Sequence, residues 1–238
     1  LNPMTISYSQ IPQANNTYNV SFTNVTITDA DGVNGTSGTR PRVYYKKRSD
    51  LNIFIDNTSS TAGWKFFEAT GSASPFSFNI NLSKLSSTVI VNDTIQYFVV
   101  AQDLANPVNV AVNSAAFNQY PVNVDLTSSA FPVTGSINSF TFLPMSVSVS
   151  GALSGNGSFQ TLASAFTAIN GSSQTGAAIN ISIFANTSEP VSGAFLIQGS
   201  WSSLLVVPSG NRTVSAAVNP GAGLIAFSNA SNITIDGI

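Results

Sequence analysis

Cysteine and histidine are both absent. Without cysteine no disulfide can contribute to stability. That does not exclude secretion, because a large β-fold can hold together without cross-links. Without histidine the commonest general base and the commonest metal ligand are missing. Charge is scarce as well: Asp, Glu, Lys and Arg make up 8% of the chain, against about a quarter in ordinary globular domains. A net charge of −2 and a pI near 4.8 leave no basic footprint for nucleic acid. No apolar run reaches the roughly 18 residues of a membrane-spanning helix. What is present is apolar material, 43% of 238 residues, enough for one large or two ordinary domains. The polar surface must then come from Asn, Ser, Thr, Gln and Gly, which suits secreted β-rich proteins and modules that face cell walls or sugars. No signal peptide is visible at Leu1. A start at Leu-Asn-Pro without an initiator Met is expected of a mature or excised chain.

The charge is also unevenly spread. Beyond residue 145 the only charged residues are Glu189, Arg212 and Asp236, which places a domain boundary near Leu143-Pro144-Met145. Before it the pattern is that of antiparallel strands. Phe76, Phe78, Ile80 and Leu82 alternate with polar residues and share one face. Val20 and Phe22 sit on even positions and Val25 and Ile27 on odd ones, so the flip at Thr23-Asn24 predicts a bulge. Val43 and Tyr45 point one way, Tyr44, Lys46 and Arg48 the other. In Thr94–Gln102, Ile95, Tyr97, Val99 and Ala101 make one face while Phe98 and Val100 make the other apolar too, as in a central strand buried on both sides. Turn pairs such as Asp31-Gly32, Asn34-Gly35 and Asn106-Pro107 separate the runs. Roughly seven strands over this region predict a β-sandwich.

The run Asp93-Thr-Ile-Gln-Tyr97-Phe-Val-Val-Ala-Gln-Asp103 resembles the penultimate strand of immunoglobulin-like and fibronectin type III-like domains. The resemblance implies that Tyr97 is a tyrosine-corner residue. Together with Thr26–Val33 and Arg42–Lys46 it is similar to extracellular sandwich domains of Bacteroidota surface proteins.

The second region opens on one helix. Phe159, Leu162, Ala163, Phe166 and Ile169 form an apolar stripe, Asn156-Gly-Ser158 offers a cap and Gly171 a stop. An ordinary amphipathic helix packed on the sandwich would carry the same stripe. Short apolar strands follow at Ile179–Phe184, Ala194–Ile197, Leu204–Val207, Thr213–Ala216, Leu224–Phe227 and Ile233–Ile235. From the third onward they recur about every ten residues with turn residues between, as strands within solenoid coils do. The stretch Gly223–Gly237 reads as two such strands joined by an Asn/Ser turn and closed by Asp-Gly. The helix followed by Asn232-Ile-Thr-Ile-Asp-Gly237 resembles the opening of pectin-lyase-like right-handed β-helices, where a helix plugs the exposed end of the solenoid. The expected fold class is therefore all-β: an N-terminal immunoglobulin/fibronectin type III-like β-sandwich over residues 1–143, then a helix-capped, truncated right-handed parallel β-helix over residues 144–238.

Chemistry is sparse. Uronate lyases of the β-helix kind use an acidic cluster for calcium and a Lys or Arg base, and the second region offers Asp236 and Arg212 alone. Glycosidases need two facing carboxylates, and it offers Glu189 and Asp236. All three read most simply as turn or surface groups. In the first region Asp29 and Asp31 follow one strand and Asp103 another, and in an immunoglobulin-like sandwich those strand ends lie together. With Asn34 nearby they are a candidate Ca²⁺ site; the alternative is that each carboxylate closes an Asx turn. Lys46 and Arg48, on one face of a basic run, and Trp201, in a Gly-Ser-Trp-Ser-Ser loop, are candidate glycan contacts, set against edge protection and core packing. Trp64 is expected in or beside the core. Asp93-Thr94-Ile95 resembles the O-glycosylation signal of Bacteroidota, with Thr94 as acceptor. The many Asn-x-Ser/Thr sequons follow from the abundance of Asn, Ser and Thr. No catalytic residue is assigned.

These readings converge on a secreted or cell-surface segment of a larger, type IX-exported protein that binds extracellular glycans or surfaces without catalysis. Its other expected partners are the secretion machinery and further copies of itself. The alternatives are the non-catalytic front of a polysaccharide lyase or glycoside hydrolase, and a structural subunit of an extracellular assembly.

Overall fold

The computed structural model describes residues 4–11, 19–197, 199–217 and 223–237. It is mostly β, with one α-helix among the described residues. The chain divides into two compact units, Leu1–Leu143 and Pro144–Ile238, at the point where charge density drops.

The first unit holds β1 (Thr5–Ser7), β2 (Asn19–Thr28), β3 (Arg42–Lys47), β4 (Lys65–Glu68), β5 (Phe76–Asn81), β6 (Thr94–Gln102), β7 (Val110–Asn113) and β8 (Asn138–Thr141). One sheet has the order β1-β2-β5 and the other β4-β3-β6-β7, with β8 alongside the first half of β6; every pairing is antiparallel. The side chains of β2 and β5 that alternate inward, Val20, Phe22, Val25, Ile27, Phe76, Phe78 and Ile80, share a core with Val43, Tyr45, Ile95, Tyr97, Val99 and Ala101. The bulge in β2 is where the alternation breaks. Register slips between Phe22 and Val25, and Asn24 takes up the extra residue at φ 59°, a conformation Asn tolerates better than most residues.

The second sheet is buried on its outer face too. Tyr44, Trp64, Phe98 and Val100 lie under Val110, Val124, Leu126, Ala130, Phe131 and Val133, which come mostly from the segment between β7 and β8. This cover explains why β3 is buried at every position and why Phe98 and Val100 are apolar. Tyr97 departs from the expected tyrosine corner. Its hydroxyl accepts from Ile11 N at 2.8 Å, 86 residues away in sequence, and so anchors the segment before β2 instead of its own corner.

The second unit holds β9 (Val147–Ser150), β10 (Gly157–Phe159), α1 (Leu162–Asn170), β11 (Ala178–Ile183), β12 (Thr187–Ser188), β13 (Ala194–Ile197), β14 (Ser203–Pro208), β15 (Val214–Ser215), β16 (Ile225–Ser228) and β17 (Ile233–Ile235). Three parallel pairs repeat in chain order: β11 with β14, β12 with β15, β13 with β16. The series then resumes with β17 parallel to β14. β9 and β10 extend the β11 sheet antiparallel. Inward residues of this series (Ile179, Ile181, Ile183, Ala194, Leu196, Leu204, Val206) pack with Leu162, Ala165, Phe166 and Ile169 of α1.

The helix starts later than the Asn156-Gly-Ser158 reading expects. Its N-cap is Thr161, whose side chain accepts from Ser164 N. Asn156 instead pairs both ways with the Ala152 backbone, and Phe159 lies on β10. At the other end Asn170 donates to Phe195 O and accepts from Ile197 N, fastening the helix to β13.

Candidate cation site

The loop after β2 folds back as a short ladder against the residue that ends β6. Val33 bridges Asp103 antiparallel, Asn34 N donates to Gln102 O at 2.9 Å and Leu104 N to Gly32 O at 3.0 Å. Gly32 turns the loop at φ +88°, a region open to glycine without steric cost. The ladder brings Asp29, Asp31 and Asp103 together: one carboxylate oxygen from each lies within 4.8 Å of the others.

The two inner carboxylates are held by backbone amides. Asp29 Oδ1 accepts from Asp31 N at 2.8 Å. Asp103 Oδ1 accepts from Ala105 N at 3.2 Å and Asn109 N at 2.8 Å. In both residues the second oxygen, Oδ2, is buried and has no hydrogen-bond partner. Asp103 is 1% exposed, while Asp31 faces solvent. Desolvating an anion without a partner costs several kcal/mol, and three like charges at this range repel one another further. None of the three described ion pairs, Arg42–Asp125, Lys47–Asp93 and Lys65–Asp56, reaches the cluster. Asn34 does not join it: its Oδ1 accepts from Thr36 N and Thr39 Oγ1. An all-oxygen donor set of this kind suits a hard divalent cation and offers nothing to a soft one.

The basic run is placed differently from its reading as a sugar-facing surface. Lys46 is 3% exposed. Its Nζ donates to the carbonyls of Lys47, Arg48 and Asp50 and lies 5.6 Å from the Trp64 ring centroid. Burial lowers its pKa, with Asp50 opposing. Lys46 therefore has no face for a glycan, because the turn that follows β3 closes over its ammonium group. Arg48, two residues on, is exposed. Lys47 is paired with Asp93 at 2.7 Å. Arg42 is paired with Asp125 at 2.6 Å and stacks over Phe66. Trp64 is fully buried and donates to Asn52 Oδ1.

Trp201 is likewise closed to a sugar. It is buried in the core of the second unit and donates to Ser231 O at 2.7 Å, tying the segment before β14 to the one before β17. The Thr94 hydroxyl is half-buried and shares a hydrogen bond with Thr141 Oγ1 across β6 and β8.

Glu189 carries a role that reading it as a surface group misses. Its side chain is buried, and its two oxygens accept from Leu162 N at 2.9 Å and Ala163 N at 2.7 Å, the first two amides of α1. The available signal was an isolated carboxylate in a region almost free of charge, near a helix whose first turn holds no acid.

Comparison of the chain with protein-family models, with curated proteins and with solved structures finds no match.

Proposed function

We propose that the chain is a non-catalytic scaffold or adhesin segment of a secreted, cell-surface protein that holds cells to extracellular glycans or surfaces. In this reading the first unit is an immunoglobulin/fibronectin type III-like sandwich. Its grouping of β1, β2 and β5 in one sheet and of β4, β3, β6 and β7 in the other, with β8 beside β6, supports that assignment. The second unit is the helix-capped start of a right-handed parallel β-helix, supported by the repeated series of three parallel strand pairs. Export by a type IX system belongs to the same proposal and rests on the sequence resemblance alone.

The observation that carries the non-catalytic reading is the use made of charge. In the second unit Glu189 spends both oxygens on helix amides, which leaves Asp236 without a second free carboxylate among that unit's described residues. Glycoside hydrolysis by a carboxylate pair has no place there. In the first unit Arg42, Lys46, Lys47 and Lys65 are buried and engaged, so they are not free to act as bases. The test is retention of the labelled chain on an array of acidic and neutral polysaccharides and on whole cells. Salt-resistant binding to at least one surface is expected. Failure to bind any of them overturns the adhesin reading.

A further inference from the structure

We propose that Asp29, Asp31 and Asp103 form a calcium site that locks the loop after β2 to the end of β6. This inference goes beyond the scaffold reading and does not depend on it.

Two independent observations carry it. The first is convergence: Asp103, more than 70 positions from Asp29 and Asp31 in the sequence, places a carboxylate oxygen within 4.8 Å of one from each of them. Oxygens bound to Ca²⁺ at roughly 2.3–2.6 Å span up to about twice that distance across the ion, so the cluster has the right width. The second is the pair of orphaned atoms. Oδ2 of Asp103, in a residue 1% exposed, and Oδ2 of Asp29 are buried with no hydrogen-bond partner. An Asx turn explains the Oδ1 atoms, which hold amides, and leaves the Oδ2 atoms unexplained. A cation between the three carboxylates satisfies both orphans and removes the mutual repulsion.

Geometry selects the ion. The fixed carboxylates supply only part of a coordination shell, and exposed Asp31 leaves the outer side to water. Ca²⁺ accepts such irregular shells of 6–8 oxygens, whereas Mg²⁺ demands near-octahedral geometry and keeps its own waters. An affinity in the range of extracellular modules, Kd about 0.1–1 mM, is expected for a site with one ligand in solvent.

The experiment is thermal unfolding of the whole chain in about 10 mM CaCl2, the same MgCl2, and EDTA, for the wild type, Asp31→Asn and Asp103→Asn. At roughly 10- to 100-fold excess over Kd, the melting temperature of the first unit rises by about 4–8 °C in calcium and by much less in magnesium. Asp103→Asn keeps the acceptor for Ala105 N and Asn109 N but loses the charge. It is therefore expected to melt at or above the wild type in EDTA and to lose the calcium response. Asp31→Asn, a change at an exposed position, keeps the fold and loses most of the response, so the test survives if Asp103→Asn does not fold. Equal melting temperatures in calcium and EDTA, or an undiminished calcium shift in Asp31→Asn, overturn the site. An equal rise in magnesium overturns its assignment to calcium.

Discussion

Replacing Glu189 by alanine removes the carboxylate that closes the N-terminus of α1. The cost follows from what it holds. Leu162 N and Ala163 N each give it a charge-assisted hydrogen bond, at 2.9 and 2.7 Å, and such bonds contribute about 1.5–3 kcal/mol each. The carboxylate also sits at the positive end of the helix, worth up to ~1 kcal/mol more in an ordinary setting. Two effects offset the loss. Thr161 still caps Ser164 N, and the open cleft lined by Phe159, Thr161, Ser164 and Pro190 lets water reach Ala163 N. The low end of the range is therefore appropriate, about 3 kcal/mol for Glu189→Ala. Glu189→Gln keeps one acceptor and turns an amide toward the other N–H, for a loss of about 2 kcal/mol. Urea unfolding of the whole chain, followed by tryptophan fluorescence, measures both. Trp64 reports the first unit and Trp201 the second, and both are buried. With a slope of about 2 kcal/mol per molar, the second transition moves down by roughly 1.5 M while the first stays in place. A second transition within about 0.5 kcal/mol of the wild type would refute the claim that this carboxylate holds the helix.

Alkali should unfold the first unit together with tyrosine ionisation. Burial pushes Tyr44, whose hydroxyl donates to Val124 O and accepts from Leu126 N, up to about 12. A folded pKa above the unfolded value of about 10 contributes stability below pH 10 that is lost as pH rises toward 12, on the order of 3 kcal/mol for this residue. Desolvation raises Tyr45 and Tyr97 in the same direction. Phenolate absorbance and circular dichroism should therefore change together above pH 10, and tyrosines that all titrate near 10 in a folded chain would contradict it. Gly151→Ala should destabilise the second unit by at least 2 kcal/mol in the same urea assay. Gly151 has φ +76°, and an added Cβ would lie 2.1 Å from Ala178 O, forcing β9 off β11. A midpoint equal to the wild type would show that the strands part freely there.

Alternation made several features legible in the sequence. The two faces of Thr94–Gln102 fall into two separate cores, with Ile95, Tyr97, Val99 and Ala101 in one and Phe98 and Val100 in the other, because period two is all a strand needs to sort its side chains. The bulge at Asn24 is visible for the same reason. The cluster of Asp29, Asp31 and Asp103 was approachable because strand-end residues are placed by topology. What stayed hidden depends on pairs distant in the sequence. Lys46 reads as a surface charge until the Trp64 ring is beside it. Trp201 reads as a loop aromatic until Ser231 is beside it. Glu189 stands 27 residues from the amide of Leu162 that it holds, and no local pattern links the two. Polar groups buried by remote backbone carry no periodicity, so composition and spacing pass over them.

The central claim, that these residues bind and support without turnover, is tested most directly by incubating the whole chain with the polysaccharides that retain it and following their chain length by size-exclusion chromatography. The account predicts an unchanged length distribution after prolonged incubation. Shortened products that depend on the folded chain would contradict it.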